Sequence, residues 1–205
     1  MKRLSKKELT MEIKPIAHIQ TSFHEKFGIP RQSGLTGPLP GIIVFEPEFR
    51  DESALRGIEE FSHLWLIWHF SANKNAEYSP TVRPPRLGGN VRMGVFATRS
   101  PFRPNGLGLS SVRLVGVENR KDLGTVLIVE GADLLDGTPI FDIKPYLPYA
   151  DLHPDAVGGF TDTVEFHQLE VSCPDALANK LSDTERQGLF QVLAQDPRPS
   201  YQKDS

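Results

Sequence analysis

Apolar positions fall in short runs bounded by glycine and proline: "IKPIAHIQ" (13–20), "GIIVF" (41–45), "HLWLIWHF" (63–70), "MGVFAT" (93–98), "SVRLVGV" (111–117), "TVLIVEG" (125–131) and "PIFDIKPY" (139–146). Runs of this length, rich in β-branched and aromatic residues, predict strands. In "SVRLVGV" alternation puts Val112, Leu114 and Gly116 on one face and Arg113, Val115 and Val117 on the other. "LWLIWHF" is apolar on both faces and predicts a buried central strand. Helical signals are fewer. "DESALRGIEEF" (51–61) opens on an N-cap aspartate with acidic residues behind it, which predicts a short helix. "SDTERQGLFQVLAQ" (182–195) has Ser182 and Glu185 at capping-box spacing, with Leu189 and Leu193 on one face. These elements predict a mostly β fold: a compact β-barrel with a few short helices and no Rossmann fold. The expected division is a β-barrel domain over 1–150, a turn-rich linker over 151–163, and a small or truncated C-terminal segment over 164–205 with one helix.

Composition narrows the classes. With 205 residues and 39% hydrophobic content the chain suits a single core. Its longest apolar run, 64–70, is far below the ~20 residues of a membrane span, and the charged start "MKRLSKKELTMEIK" has no apolar stretch of a secretory signal. A cytoplasmic protein with no membrane partner is expected. One cysteine, Cys173, allows no internal disulfide, and the six histidines have no zinc spacing, so no metal site is expected. His69, inside the apolar run, reads as a hydrogen-bonded core residue. "GLGLSS" from Gly106 lacks the third glycine of a dinucleotide loop, and "DGTP" from Asp136 lacks the lysine and serine of a phosphate loop. Both are expected to be turns.

Charge position changes the picture more than net charge does. Between Tyr78 and Val117 stand Arg83, Arg86, Arg92, Arg99, Arg103 and Arg113 with no Asp, Glu or Lys, although the whole chain has a net charge of -3. So segregated a cationic segment calls for a local anion: phosphate, nucleic acid or a carboxylate-bearing cofactor. Prolines 84, 85, 101 and 104 restrict the same loops, which lowers the entropy lost when these arginines bind.

The ordered motifs "EKFGIPRQSGL", "IEEFSHLWLIWHF", "RPPRLGGNVRMGVFATRSPFRPNGLGLS", "LLDGTPIFDIKPYLPYAD" and "LAQDPRP" resemble the TsaA-like (TrmO) family of S-adenosylmethionine-dependent tRNA methyltransferases. The likeness runs from about Pro15 to Tyr201. It implies a compact β-barrel that binds S-adenosylmethionine without a Rossmann fold, works as a homodimer, and methylates the exocyclic nitrogen of N6-threonylcarbamoyladenosine at tRNA position 37, next to the anticodon. Carried over residue by residue, cofactor contacts fall on Pro30, Arg31, Gln32, Phe70, Ser71, Arg99, Leu109 and the turn Gly131, Ala132, Asp133, Leu134. Fuller members continue past "DPRPxY" into further strands, where this sequence ends at Ser205.

On this reading Arg31 and Arg99 meet the cofactor or a substrate carboxylate, because the guanidinium fork matches a carboxylate. Arg83, Arg86, Arg92, Arg103 and Lys144 face the phosphates of the tRNA anticodon stem-loop, and Phe102 and Tyr146 offer stacking surfaces for its bases. Asp133, Asp136 and Asp142 are candidate acceptors for the proton of the methylated nitrogen, though "DGTP" gives Asp136 a turn role as well. The alternative reading is a non-catalytic RNA- or nucleotide-binding barrel.

Overall fold

The computed structural model describes residues 11–73, 77–163 and 168–197. Six antiparallel strands close on themselves: β1 (Ala17–Gln20), β2 (Pro40–Phe45), β3 (His63–His69), β6 (Leu107–Arg120), β7 (Gly124–Glu130) and β8 (Thr138–Pro145), ordered β1-β2-β7-β6-β3-β8 in a ring. Two short strands, β4 (Thr81–Val82) and β5 (Met93–Gly94), pair separately as an arm. The alternation in the sequence builds the interior. Leu64, Leu66 and Trp68 of β3 and Val112 and Leu114 of β6 turn inward against Ile19, Ile43, Leu127, Val129 and Ile140. Side chains of this size each contribute about 1.5–3 kcal/mol when fully removed from water, so the ring is held chiefly by its filling.

Four departures from the sequence expectation have local causes. β3 is buried on one face only: Trp65, Ile67 and His69 on its other face are half-buried, because that side lies outside the ring. The helix expected over 51–61 is instead two 3₁₀ turns, Glu52–Leu55 and Ile58–Glu60, separated by Gly57 in the left-handed region at φ 85°. "GLGLSS" is a turn only at Gly106, after which Leu107 already begins the 14-residue β6. The expected strand over 93–98 is short for a similar reason: after Gly94 the chain tightens into a 3₁₀ turn at Val95–Ala97, which buries Val95.

Gly108 shows how the site end of the ring is packed. A Cβ there would fall on the indole of Trp68. Gly108→Ala is therefore expected to destabilise the fold by about 1–3 kcal/mol through overpacking, seen as a lower midpoint in thermal unfolding.

The C-terminal segment docks on the ring's loops. Helix α3 (Asp183–Ala194) begins at the expected capping box, with the Ser182 hydroxyl accepting from Glu185 N–H and the Glu185 carboxylate accepting from Ser182 N–H. It rests on the 28–39 loop. Gly37 N–H donates to Gln191 Oε1 at 2.7 Å, Gln195 Nε2 donates to Leu35 O at 3.1 Å, and Gly188 packs directly against Leu39. The shorter helices α1 (Pro148–Asp151) and α2 (Asp175–Ala178) have one turn each.

Candidate active site

Four segments far apart in sequence meet at one end of the ring. The C-terminal end of β3 runs on into Phe70–Asn73, the arm returns through Thr98–Arg103 to the start of β6, the β7–β8 connection crosses at 131–137, and the loop before β2 supplies Pro30–Ser33. Backbone contacts fix their spacing. Gly34 N–H donates to Gly131 O at 2.9 Å, and a Cβ on Gly131, which has φ 77°, would lie 3.3 Å from the Gly34 backbone, so glycine is needed here for both conformation and approach. Ser111 N–H donates to Ser33 Oγ at 3.2 Å, tying the same loop to β6.

Between these segments lies a cleft of about 470 Å³, a size suited to a small-molecule cofactor. Pro30, Arg31, Gln32, Phe70, Ser71, Arg99, Leu109 and Asp133 line it. Gly131, Ala132 and Leu134 do not: Ala132 and Leu134 point into the core, and Gly131 closes against Gly34. The carried-over turn therefore presents one side chain, that of Asp133. Across the mouth, Arg99 Nη1 donates to Gln32 Oε1 at 2.6 Å and joins two walls. Arg31 lines the cleft while its Nη2 donates to Asp196 O at 2.8 Å, so its guanidinium also clasps the chain after α3.

At the floor, Ser110 Oγ donates to Asp133 Oδ1 at 2.5 Å and accepts from Trp68 Nε1 at 2.9 Å. Burial pushes the Asp133 carboxyl above the ordinary carboxylate range, against the opposing pull of the Ser110 hydrogen bond and the positive charge of Arg99. A buried acid shifted by desolvation at the base of a cleft is a mark of functional sites. Asp136 and Asp142 lie elsewhere. Asp136 accepts from Thr21 N–H at 3.0 Å and pairs with His24 at 3.4 Å, holding the "DGTP" turn; Asp142 pairs with Lys144 at 2.8 Å on the outside of β8.

The arginines separate in space. Arg113 forms an ion pair with Glu130 at 2.5 Å, but among the described residues Arg83, Arg92, Arg99 and Arg103 have no carboxylate partner within ion-pair distance. Arg92 Nη1 donates to Thr81 Oγ1 at 3.0 Å on the arm. Arg86 sits in the 3₁₀ turn Pro85–Leu87; its side chain lies outside the described residues. Arg103, expected on phosphates, lines the cleft. Phe102 is exposed beside it. Lys144 and Tyr146 are at the other end of β3, where Lys144 is opposite Trp65 and Tyr146 packs on Trp65 at 5.6 Å. Along β3, Trp65 is three positions from Trp68 of the cleft wall, a separation of roughly 10 Å. Sequence reasoning missed His69 and Asn73, both in the cleft wall. His69 ends β3 on its outer face, and that position was the only available signal.

Residues 18–152 match the tRNA-methyltransferase O N-terminal domain family. Over 200 residues the chain is 43% identical to the tRNA (adenine(37)-N6)-methyltransferase of Escherichia coli (strain K12), covering 95% of this chain and 85% of that protein. Over 201 residues it is 43% identical to RcsF of Pseudomonas aeruginosa, whose name assigns it to the S-adenosylmethionine-dependent methyltransferases, again covering 95% and 85%. The crystal structure of TrmO from Pseudomonas aeruginosa superposes with a TM-score of 0.75 at 38% identity, over 93% of this chain and 84% of that one. The chain belongs to the tRNA-methyltransferase O family.

Proposed function

We propose that this protein is an S-adenosylmethionine-dependent methyltransferase that methylates N6 of the adenosine at tRNA position 37, acting on the N6-threonylcarbamoyl form of that base. The observation that carries the reading is the cleft itself. Eight of the eleven residues that the family resemblance marks for the cofactor, drawn from four separate segments, line one cavity of fitting size. Its chemistry suits the cofactor: apolar surface from Trp68, Phe70 and Leu109, a guanidinium at the mouth for a carboxylate, and a carboxyl at the floor for positive charge.

S-adenosylmethionine supplies an electrophilic methyl group on a positively charged sulfur. The chain's part is to position and to exclude water. Pro30 and the 3₁₀ turn before Thr98 stiffen two walls, and the Arg99–Gln32 bond holds them together. Asp133 is the member of the three candidate acids that reaches the cleft, and its place beside Ser110 at the floor supports cofactor binding.

On the RNA side, Arg83 and Arg92 flank the arm and Phe102 stands exposed next to the cleft, which supports docking of the anticodon stem-loop there. Replacing both Arg83 and Arg92 by alanine is expected to weaken tRNA binding at low salt and to flatten the dependence of log affinity on log salt by about one unit per lost phosphate contact. Cofactor affinity measured by calorimetry should be unchanged. We further take the ring as a β-barrel domain over 1–150, followed by a 151–163 linker and a C-terminal segment over 164–205 that braces the 28–39 loop, and the working form as a cytoplasmic homodimer, whose mass light scattering would report. Nucleoside mass spectrometry of tRNA from cells lacking the protein tests the function: the methylated form of threonylcarbamoyladenosine should disappear while the unmethylated form accumulates. An unchanged methylated pool would refute it.

A further inference from the structure

A second cleft, of about 340 Å³, adjoins the first. The two share His69, Phe70, Ser71, Asn73 and Arg103, and the loop 101–106 closes the outer side of the smaller one. Asp133 lines the larger cleft, whereas among the described residues no carboxylate lines the smaller. Arg103 stands on the shared wall in an unusual state. Its Nη1 donates to two neutral acceptors, Thr98 O at 2.6 Å and Val95 O at 3.1 Å, and its guanidinium carbon lies 5.7 Å from the centre of the Phe96 ring. Its Nε and Nη2 make no hydrogen bond among the described residues. The cation is thus anchored by one nitrogen, with the rest of its fork unmatched and, among the described residues, no carboxylate at ion-pair distance or in the smaller cleft that it lines. Such a fork is a receptor for a planar anion. Pro101 and Pro104 on either side hold the loop in shape.

We infer that the smaller cleft receives the methyl-accepting nucleoside and that Arg103 binds the free carboxylate of its N6 substituent. This rests on the reading above that the substrate is a carboxylate-bearing adenosine in tRNA. It divides two carboxylates between two arginines: that of the cofactor to Arg99 and that of the acceptor to Arg103. A phosphate of the RNA backbone is the competing anion at Arg103, and the test separates the two.

Two anticodon stem-loop RNAs serve as probes, one with threonylcarbamoyladenosine and one in which its carboxylate is converted to a neutral methyl amide. Binding is read by fluorescence anisotropy without cofactor, and methylation as kcat/KM with it. The wild type should bind the acid about tenfold or more tighter than the amide, the loss of one charge-assisted bond. Arg103→Ala should bind the acid as weakly as the amide, so that the two changes are non-additive. Because Arg103 also holds the 95–98 turn, Asn105→Trp provides a second variant. It fills the outer cleft from an exposed position and should block RNA methylation while leaving S-adenosylmethionine affinity intact. Equal binding of the two RNAs by the wild type would overturn the inference, as would full discrimination by Arg103→Ala. An equal loss for both RNAs in that variant would assign Arg103 to phosphate. Absence of methyl transfer to either RNA by a wild type that binds the acid form tightly would instead overturn the proposed activity.

Discussion

Arg99→Ala is expected to weaken S-adenosylmethionine binding by about 10- to 100-fold. A charge-assisted hydrogen bond contributes about 1.5–3 kcal/mol, and each 1.4 kcal/mol is a factor of ten. The substitution removes more than one interaction. It deletes the guanidinium at the mouth, breaks the 2.6 Å bond to Gln32 that joins two walls, and takes away a positive charge that partly opposes the burial-driven rise of the Asp133 carboxyl. Arg99→Lys restores the charge without the planar fork, so it should recover only part of the loss. Calorimetry with the cofactor checks both variants. An unchanged dissociation constant for Arg99→Ala would mean that the cofactor carboxylate lies elsewhere.

Asp133→Asn should act on two observables in opposite directions. Its oxygen can still accept from Ser110, so the Trp68–Ser110–Asp133 chain survives. The charge does not. In the wild type, burial raises the carboxyl's proton affinity in the folded chain above that in the unfolded chain. Between the ordinary carboxylate range and the raised value the folded chain binds more protons, so stability falls as pH rises through that window. The asparagine variant lacks this slope. Without cofactor it should be the more stable protein at neutral pH, and the two melting curves should converge as the pH is lowered into the ordinary carboxylate range. Cofactor binding should show the reverse. A cationic ligand favours the ionised acid, so wild-type affinity should drop as pH falls through the raised pKa, whereas the variant should bind at least about tenfold more weakly at neutral pH and show no such dependence. A variant that binds the cofactor as tightly as the wild type at every pH would remove Asp133 from the site.

The ring was largely legible in the sequence because its signals are local. Short β-rich runs, alternation at Val112 and Leu114, and the Ser182–Glu185 capping pair each depend on neighbours a few residues away. Where one residue decides geometry, sequence and structure part: Gly57 splits an expected helix, and an expected turn over "GLGLSS" shrinks to Gly106, with β6 starting at Leu107. The closing pair β1–β8 joins Ala17 to Ile140, more than a hundred positions apart, and no local pattern announces it. The site divides the same way. Family motifs brought Pro30, Arg31, Gln32, Phe70, Ser71, Arg99, Leu109 and Asp133 to one cavity. As candidate proton acceptors Asp133, Asp136 and Asp142 stood level in the sequence, because burial and partners separate them. Arg103 and Lys144 likewise look alike as isolated cations, yet one stands between two clefts and the other pairs with Asp142 on the far side of the strand.

The cationic segment retains its character after folding. Of its described arginines only Arg113 finds a carboxylate, Glu130, at ion-pair distance. Pro and Gly turns bring Arg99 and Arg103 to the two clefts and leave Arg83 and Arg92 on the arm, so a charge asymmetry in sequence becomes a division of positions in space.

The most direct test is reconstitution with the purified protein, tRNA carrying threonylcarbamoyladenosine at position 37, and S-adenosylmethionine with a deuterated methyl group. Mass spectrometry of the digested nucleosides should find the deuterated methyl on N6 of threonylcarbamoyladenosine alone. Label on another nucleoside, or none at all with the cofactor shown to bind, would contradict the account.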